Sequence, residues 1–170
     1  MTIVRYIPAL LLTIGLTAAT SLADDEPFQP DQVTQCLKSS KAAGLTVLTD
    51  NNPFYLRGDF DTDGKPDYAL QVRSKSGGTG VLICGGNKAV FLLGRGLGTA
   101  QFSDMPEDKF LAPQWAVYTK QEVAALGAFQ SNVPRPVPSV KGEAIAMIWE
   151  DGISLIYWDG AKFRWAGSKE

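Results

Sequence analysis

Short runs in which apolar and polar residues alternate dominate the chain after Gly44, and such runs are typical of β-strands. The first three cover residues 45–49, 54–60 and 67–74. The next two, 81–84 and 89–93, are separated by glycine and asparagine, which favour the positive φ angles of a hairpin turn. This pattern predicts a sheet in which neighbouring strands are antiparallel.

The C-terminal part of the chain has the clearest strand pattern. Three mainly apolar runs cover residues 143–149, 153–158 and 162–166. They are separated by Glu150-Asp151-Gly152 and Asp159-Gly160, and Asp-Gly is a strong signal for a hairpin turn. The middle run is apolar on both of its faces, so we expect other elements to cover each face. The runs predict an antiparallel meander.

Helical periodicity is clearest before Gly44. Apolar side chains recur there at the i, i+3, i+4 spacing of one helix face, which predicts a helix over residues 32–43 with Asp31 as its N-cap. Residues 119–126 are ambiguous between helix and strand. The whole pattern therefore predicts an α+β, β-dominated fold: a mostly antiparallel sheet with one N-terminal helix.

The first 23 residues have the features of a secretory signal peptide. Arg5 supplies a positive charge, and the apolar stretch over residues 7–16 is too short to span a bilayer as an anchor. Ser21-Leu22-Ala23 is a small-x-small cleavage site, so we expect cleavage after Ala23. Residues 24–170 would then form a single β-rich domain in the periplasm or outside the cell. No later run is long enough to predict a membrane span.

Composition excludes several classes of function. The chain has a formal net charge of −2 and no basic tract, which argues against nucleic acid as a partner. It contains no histidine. Ser-His-Asp and Cys-His catalysis are therefore excluded, as are zinc sites that use imidazole.

The two cysteines are Cys36 and Cys84, and an even number in an exported protein favours one disulfide. The bridge would tie the N-terminal helix to a central strand. Two buried free thiols are the alternative, because sequence alone does not establish that the cysteines are close together.

An acidic loop between the second and third predicted strands carries the strongest chemical signal. Its carboxylates are at positions 1, 3, 5 and 9 of the loop, namely Asp59, Asp61, Asp63 and Asp67. Lys65 would offer its backbone carbonyl, and Gly64 permits a sharp turn. Calcium binds six to eight oxygen ligands of these kinds, and a cation would relieve the repulsion between the carboxylates. An EF-hand is excluded because its closing glutamate is replaced by Leu70 and no helices flank the loop.

The motif Gly-Asp-Phe-Asp-x-Asp-Gly-x-x-Asp, followed by an apolar strand, resembles the calcium-binding loop of FG-GAP/VCBS repeats. The resemblance covers residues 56–72. It implies calcium ligands at the positions occupied by Asp59, Asp61, Asp63, Asp67 and the Lys65 carbonyl. The motif occurs once, whereas a β-propeller needs several blades, so neither propeller architecture nor adhesion is carried over. The overall plan also resembles small uncharacterised bacterial periplasmic proteins, which implies no activity.

These features lead to a hypothesis of function. We expect an exported calcium-binding protein without enzymatic activity that recognises another protein, as inhibitors and toxin-immunity proteins do, with calcium in a structural role. This function rests on analogy of size and export. The candidate partner surface comprises Trp149, Tyr157 and Trp158, with core packing as the alternative role of these side chains.

Two other functions stay open. The first is a small hydrolase of envelope polymers that uses a pair of loop carboxylates. Its candidate acids are Asp104, Glu107, Asp108, Glu150 and Asp151. The second is a glycan-binding module that uses exposed tryptophans.

Overall fold

The computed structural model describes residues 29–95, 97, 111–129 and 137–167. The predicted signal peptide lies outside these residues, and so do the candidate acids Asp104, Glu107 and Asp108. Two antiparallel sheets and two α-helices make up the described part. The α+β, β-dominated fold class predicted from the sequence is thus confirmed.

The first sheet is built around its longest strand, β3. Its strands are β1 (Leu45–Val47), β2 (Tyr55–Gly58), β3 (Asp67–Ser74), β4 (Thr79–Cys84) and β5 (Val90–Arg95). On one side, β3 pairs with β4, and β4 pairs with β5. On its other side, β3 pairs with β1 near its C-terminal end and with β2 near its N-terminal end. The β2–β3 pairing ends with Gly58 opposite Asp67, and the acidic loop joins these two residues.

The second sheet contains the predicted C-terminal meander. Its strands are β6 (Gln114–Tyr118), β7 (Ala144–Trp149), β8 (Gly152–Trp158) and β9 (Phe163–Ala166). They follow the order β6-β7-β8-β9, and every neighbouring pair is antiparallel. The separation into two sheets is a feature that the strand pattern did not predict, because alternation identifies strands but not their partners.

The two sheets and two helices stack as four layers. Between the sheets, Ile83 and Leu93 of the first belong to one buried cluster with Met147 and Ile156 of the second. Each fully buried side chain of this size stabilises the fold by about 1.5–3 kcal/mol. Helix α1 (Asp31–Leu37) and the 3₁₀ turn Ser40–Ala42 contribute to the cluster on the outer face of the first sheet.

Helix α2 (Lys120–Phe129) covers the outer face of the second sheet. Its Val123 and Leu126 share a buried cluster with Leu155 of β8, whereas Ile156 of β8 faces the space between the sheets. The prediction that elements cover both faces of the middle strand is therefore confirmed. The ambiguous stretch becomes a helix with a capping box, because Glu122 Oε2 accepts the Thr119 N–H at 2.7 Å and Thr119 Oγ1 accepts the Glu122 N–H at 3.3 Å.

Helix α1 differs from its prediction in both of its ends. It stops at Leu37 rather than reaching residue 43, and a 3₁₀ turn follows before Gly44, whose φ is +77°. Asp31 lies inside the first turn and is not the N-cap. Pro30 occupies that position, and its carbonyl accepts the Val33 N–H at 2.9 Å.

The disulfide between Cys36 and Cys84 is present, with 5.7 Å between the two Cα atoms. It fastens α1 to β4, as predicted. The bridge spans 48 residues, and a loop of this length stabilises a fold by about 4 kcal/mol in the chain-entropy model. Disulfides are typical of oxidising compartments. No helix in the described ranges is long and apolar enough to cross a membrane.

Candidate metal site in the acidic loop

Three carboxylates converge where the acidic loop folds back on β3. Asp59, Asp61 and Asp67 each place an oxygen within 4.8 Å of the others. Asp67 has no exposed surface and Asp61 is 9% exposed, so two of the three side chains are withdrawn from solvent. This cluster could hold a metal ion.

Asp67 organises the loop through backbone hydrogen bonds. Its Oδ2 accepts the N–H groups of Phe60 at 2.8 Å and Asp61 at 3.2 Å. Its Oδ1 accepts the N–H of Gly86 at 2.9 Å, from the turn that joins β4 to β5. A Cβ on Gly86 would lie 2.5 Å from the Lys65 Cβ, so only glycine permits this close approach. The carboxylate of Asp67 thus holds together the acidic loop and the neighbouring turn.

Further backbone bonds shape the tip of the loop. The N–H of Asp63 is donated to Asp61 Oδ1 at 3.1 Å, and the N–H of Lys65 to Asp63 Oδ1 at 2.8 Å. The N–H of Gly64, whose φ is +81°, is donated to Asp59 Oδ2 at 3.1 Å. The other oxygen of Asp59, Oδ1, is buried and has no hydrogen-bond partner. A buried charged oxygen without a partner is energetically costly, and a metal ion would satisfy it.

The electrostatics of the cluster also favour a cation. Burial raises the pKa of Asp61, and the charges of Asp63 and Asp59 raise it further, against the lowering effect of the Asp63 N–H. Burial likewise raises the pKa of Asp67, to which the charge of Asp61 contributes, although the Gly86 and Phe60 N–H groups oppose the shift. Across the described ranges, no Lys or Arg forms an ion pair with these carboxylates. Their charge is therefore uncompensated within this part of the protein.

The predicted ligands do not all meet. Asp59, Asp61 and Asp67 come together, whereas Asp63 is exposed and lies outside the cluster of three. The cluster comprises side chains only, so it does not test the Lys65 carbonyl, and Asp63 and this carbonyl stay predicted ligands. The regular spacing of acidic residues in the sequence does not reveal which of them are buried.

Sequence reasoning missed two residues that contact the loop. Asn87 donates its side-chain N–H to Asp61 Oδ2 at 3.4 Å, and Glu143 Oε2 accepts the N–H of Asp59 at 2.7 Å. Asn87 was predicted only as a turn residue, and Glu143 only as the beginning of a strand. Their sequence separations from these partners are 26 and 84 residues, so no local motif signals either contact.

The three aromatic residues of the candidate partner surface do not share one face. Trp149 and Trp158 are half-buried and pack against the cluster between the sheets, whereas Tyr157 packs against the cluster beneath α2. The ring of Trp158 lies edge-on to Phe91 and Phe163, with centroid distances of 5.9 and 5.0 Å. These side chains contribute to the core, and their role as a partner surface stays a prediction.

A shallow cleft lies beside the first sheet. It has a volume of about 220 Å³ and is lined by Asp50, Asn51, Gln71, Arg73, the neighbouring Leu48 and residues 111–113. The amide of Asn51 donates to Gln71 Oε1 at 3.2 Å and to the Ala112 carbonyl at 2.8 Å. Among the described residues that line the cleft, Asp50 is the one carboxylate, so these residues by themselves do not provide the pair that glycoside hydrolysis needs.

Comparisons with protein-family models, curated proteins and solved structures returned no match to this chain.

Proposed function

We propose that this protein binds calcium through its acidic loop and that the ion has a structural role. The observation that carries the proposal is the convergence of three carboxylates, one of which, Asp59, has a buried oxygen (Oδ1) without a hydrogen-bond partner. All three supply oxygen, the ligand atom that calcium prefers. Magnesium demands near-ideal octahedral geometry and loses its water reluctantly, so a partly dehydrated site of this kind favours the larger ion.

The structural role follows from where the site lies. The acidic loop connects two strands of one sheet and is bonded to the turn between two others. An ion bound there would fasten β2, β3 and the β4–β5 turn to one another. Asp61 and Asp67 are buried, so they are poorly placed to contact a large substrate.

A thermal-unfolding experiment tests calcium binding. The purified protein would be stripped with chelator and melted without metal, with calcium and with magnesium. At a calcium concentration 100 times the dissociation constant, we expect stabilisation of about 2.7 kcal/mol. Each kcal/mol corresponds to about 2–4 °C for a domain near 150 residues. The rise should be larger with calcium than with magnesium.

The matched variants are Asp59→Ala and Asp50→Ala. Asp59→Ala removes the unpartnered oxygen and should abolish most of the calcium effect. Asp50 is an exposed aspartate outside the cluster, and its replacement should leave the effect intact. If excess calcium leaves the melting curve of the stripped wild-type protein unchanged, the proposal is wrong.

We further propose that the protein is exported and recognises another protein rather than acting as an enzyme. Support comes from the disulfide, the signal-peptide pattern and the lack of histidine. All four tryptophans lie in or pack against the cluster between the sheets, which gives little support to a glycan platform of exposed tryptophans. Affinity purification from a periplasmic extract, with calcium and with chelator, tests this role. Recovery of one stoichiometric protein is expected, whereas release of sugar from envelope polymers by the purified protein would contradict it.

A further inference from the structure

The segment just before β7 lies against the acidic loop, although the two are distant in sequence. Glu143 Oε2 accepts the backbone N–H of Asp59 at 2.7 Å across 84 residues. A Cβ on Gly58 would lie 2.7 Å from the same oxygen, so the missing side chain leaves room for the carboxylate. The segment that leads into the second sheet thus contacts the acidic loop at Asp59, the first residue of the candidate metal site.

The backbone of this segment makes a second contact with the loop. A Cβ on Gly142 would lie 2.5 Å from Thr62 Cγ2 and 3.1 Å from the carbonyl oxygen of Asp59. Gly142 therefore allows the chain to pass close to the loop and brings Glu143 within hydrogen-bonding distance of Asp59. The contact involves both the beginning and the tip of the acidic loop.

Glu143 is attached to one of the most firmly packed parts of the molecule. The next two residues, Ala144 and Ile145, have no exposed surface and pair with β6, and Ile145 also pairs with β8. This strand anchors the backbone of Glu143, and the Asp59 N–H engages its carboxylate. The carboxylate can therefore hold the Asp59 backbone in one orientation, which in turn directs the Asp59 side chain.

We propose that Glu143 is a positioning residue for the calcium site. It accepts the Asp59 N–H and so keeps the Asp59 side chain beside the other two carboxylates, and it connects the site to the strand β7. This inference rests on the proposed calcium binding. Hydrogen-bond partners behind metal ligands typically change metal affinity by 10- to 100-fold. The function of Glu143 requires an acceptor oxygen at the right reach and does not require its charge.

Two conservative variants distinguish the effect of the length of the Glu143 side chain from the effect of its charge. E143Q loses the charge but keeps an oxygen that can accept the Asp59 N–H. E143D keeps the charge but is one methylene shorter, so it cannot make the same contact. A positioning role predicts that E143D weakens calcium binding about tenfold, whereas E143Q binds within about threefold of wild type. A purely electrostatic role predicts the reverse order.

Calorimetric titration of the chelator-stripped proteins with calcium provides the measurement. E143A should resemble E143D, and E150A serves as the control because Glu150 is an exposed glutamate beyond the other end of β7. Wild-type affinity in both E143A and E143D would overturn the inference. Weaker binding by E143Q than by E143D would also overturn it. Circular dichroism of each variant establishes that it is folded.

Amide hydrogen exchange distinguishes two negative results. In one, the protein does not bind calcium; in the other, it binds calcium but Glu143 does not position Asp59. In calcium-free protein, the Asp59 N–H should be protected in wild type and E143Q and should exchange faster in E143D. If wild type binds no calcium, the proposed function and the affinity role of Glu143 both fail, whatever the exchange shows. If wild type binds calcium while E143D keeps both its affinity and its Asp59 protection, only the role of Glu143 fails.

Discussion

The acidic loop and the turn between β8 and β9 both use aspartate to reverse the chain, but the aspartate pKa is shifted in opposite directions at the two places. In the turn, Asp159 Oδ1 accepts the N–H groups of Ala161 at 2.8 Å and Lys162 at 2.9 Å, and Oδ2 pairs with the Arg164 guanidinium. The Lys162 N–H and the Arg164 side chain hold the pKa of Asp159 well below its usual range.

In the acidic loop, burial and neighbouring carboxylates raise the pKa of Asp61 and Asp67 instead. Both sites satisfy aspartate oxygens with backbone N–H groups, so hydrogen bonding alone does not explain the contrast. One difference is burial, which is the largest cause of the raised pKa values in the loop, whereas Asp159 is partly exposed. A second difference is the cation. The chain supplies Arg164 to the turn, and the described residues supply no equivalent partner to the loop. Under the proposed function, an ion from solution would supply to the loop the positive charge that Arg164 supplies to the turn.

The largest effect should come from Asp67→Ala in calcium-free protein. The substitution leaves the buried N–H groups of Phe60 and Asp61 and the partly buried N–H of Gly86 without an acceptor. We expect a loss of about 4 kcal/mol in the free energy of unfolding. Urea denaturation in chelator provides the measurement, with Asp50→Ala as the control because Asp50 is exposed and lies outside the cluster. A loss below about 1 kcal/mol would mean that water replaces the carboxylate and that Asp67 does not organise the loop.

Asp61→Asn should have a smaller effect on the calcium-free protein, despite the burial of Asp61. The amide has nearly the same shape and removes a charge that burial and two neighbouring aspartates disfavour. We expect calcium-free stability to stay within about 1 kcal/mol of wild type or to rise slightly. The melting-temperature rise caused by calcium should fall at the same time. A loss above about 2 kcal/mol in chelator would show that the charge of Asp61 is already compensated without metal.

Asp159→Asn should have the smallest effect, with a defined pH dependence. A lowered pKa means that the ionised carboxylate stabilises the fold above its ordinary pKa of 3.8. This contribution is lost as the pH falls through the lower pKa of the folded state. The variant should therefore melt slightly below wild type at pH 6, and the difference should shrink as the pH falls below about 4. A melting-temperature difference that is constant from pH 6 to pH 3 would contradict the assignment.

The strands and the acidic loop were predictable from the sequence, whereas contacts between segments distant in sequence were not. Alternation identifies the C-terminal meander, and Asp-Gly identifies the position of the Asp159 turn. The acidic spacing identifies the cluster, because Asp59, Asp61 and Asp67 lie within one short hairpin loop. Glu143 was not identifiable, because its contact with Asp59 depends on how the two sheets pack. The same reason explains why one predicted sheet became two.

The limits of prediction also appear at the ends of elements. Helix α1 stops early although its apolar spacing continues, because a 3₁₀ turn carries Ala42 into the buried cluster before Gly44 reverses the chain. For α2, the capping pair Thr119 and Glu122 is a local signal that was present in the sequence and could have resolved the ambiguity.

Most contacts of the acidic loop can form before the C-terminal part of the chain has emerged. The Asp59–Asp67 contacts are local, and the Gly86 bond to Asp67 spans only 19 residues, whereas Glu143 lies 84 residues from Asp59. Closing short loops costs less entropy than closing long ones. A chain that emerges N-terminus first therefore carries every carboxylate of the cluster, and the turn that supports it, before Glu143 and the C-terminal meander emerge. If the protein is exported and binds calcium as proposed, the ion would meet its ligands before the chain is complete, and the segment with Gly142 and Glu143 would then pack against a loop that already has its shape.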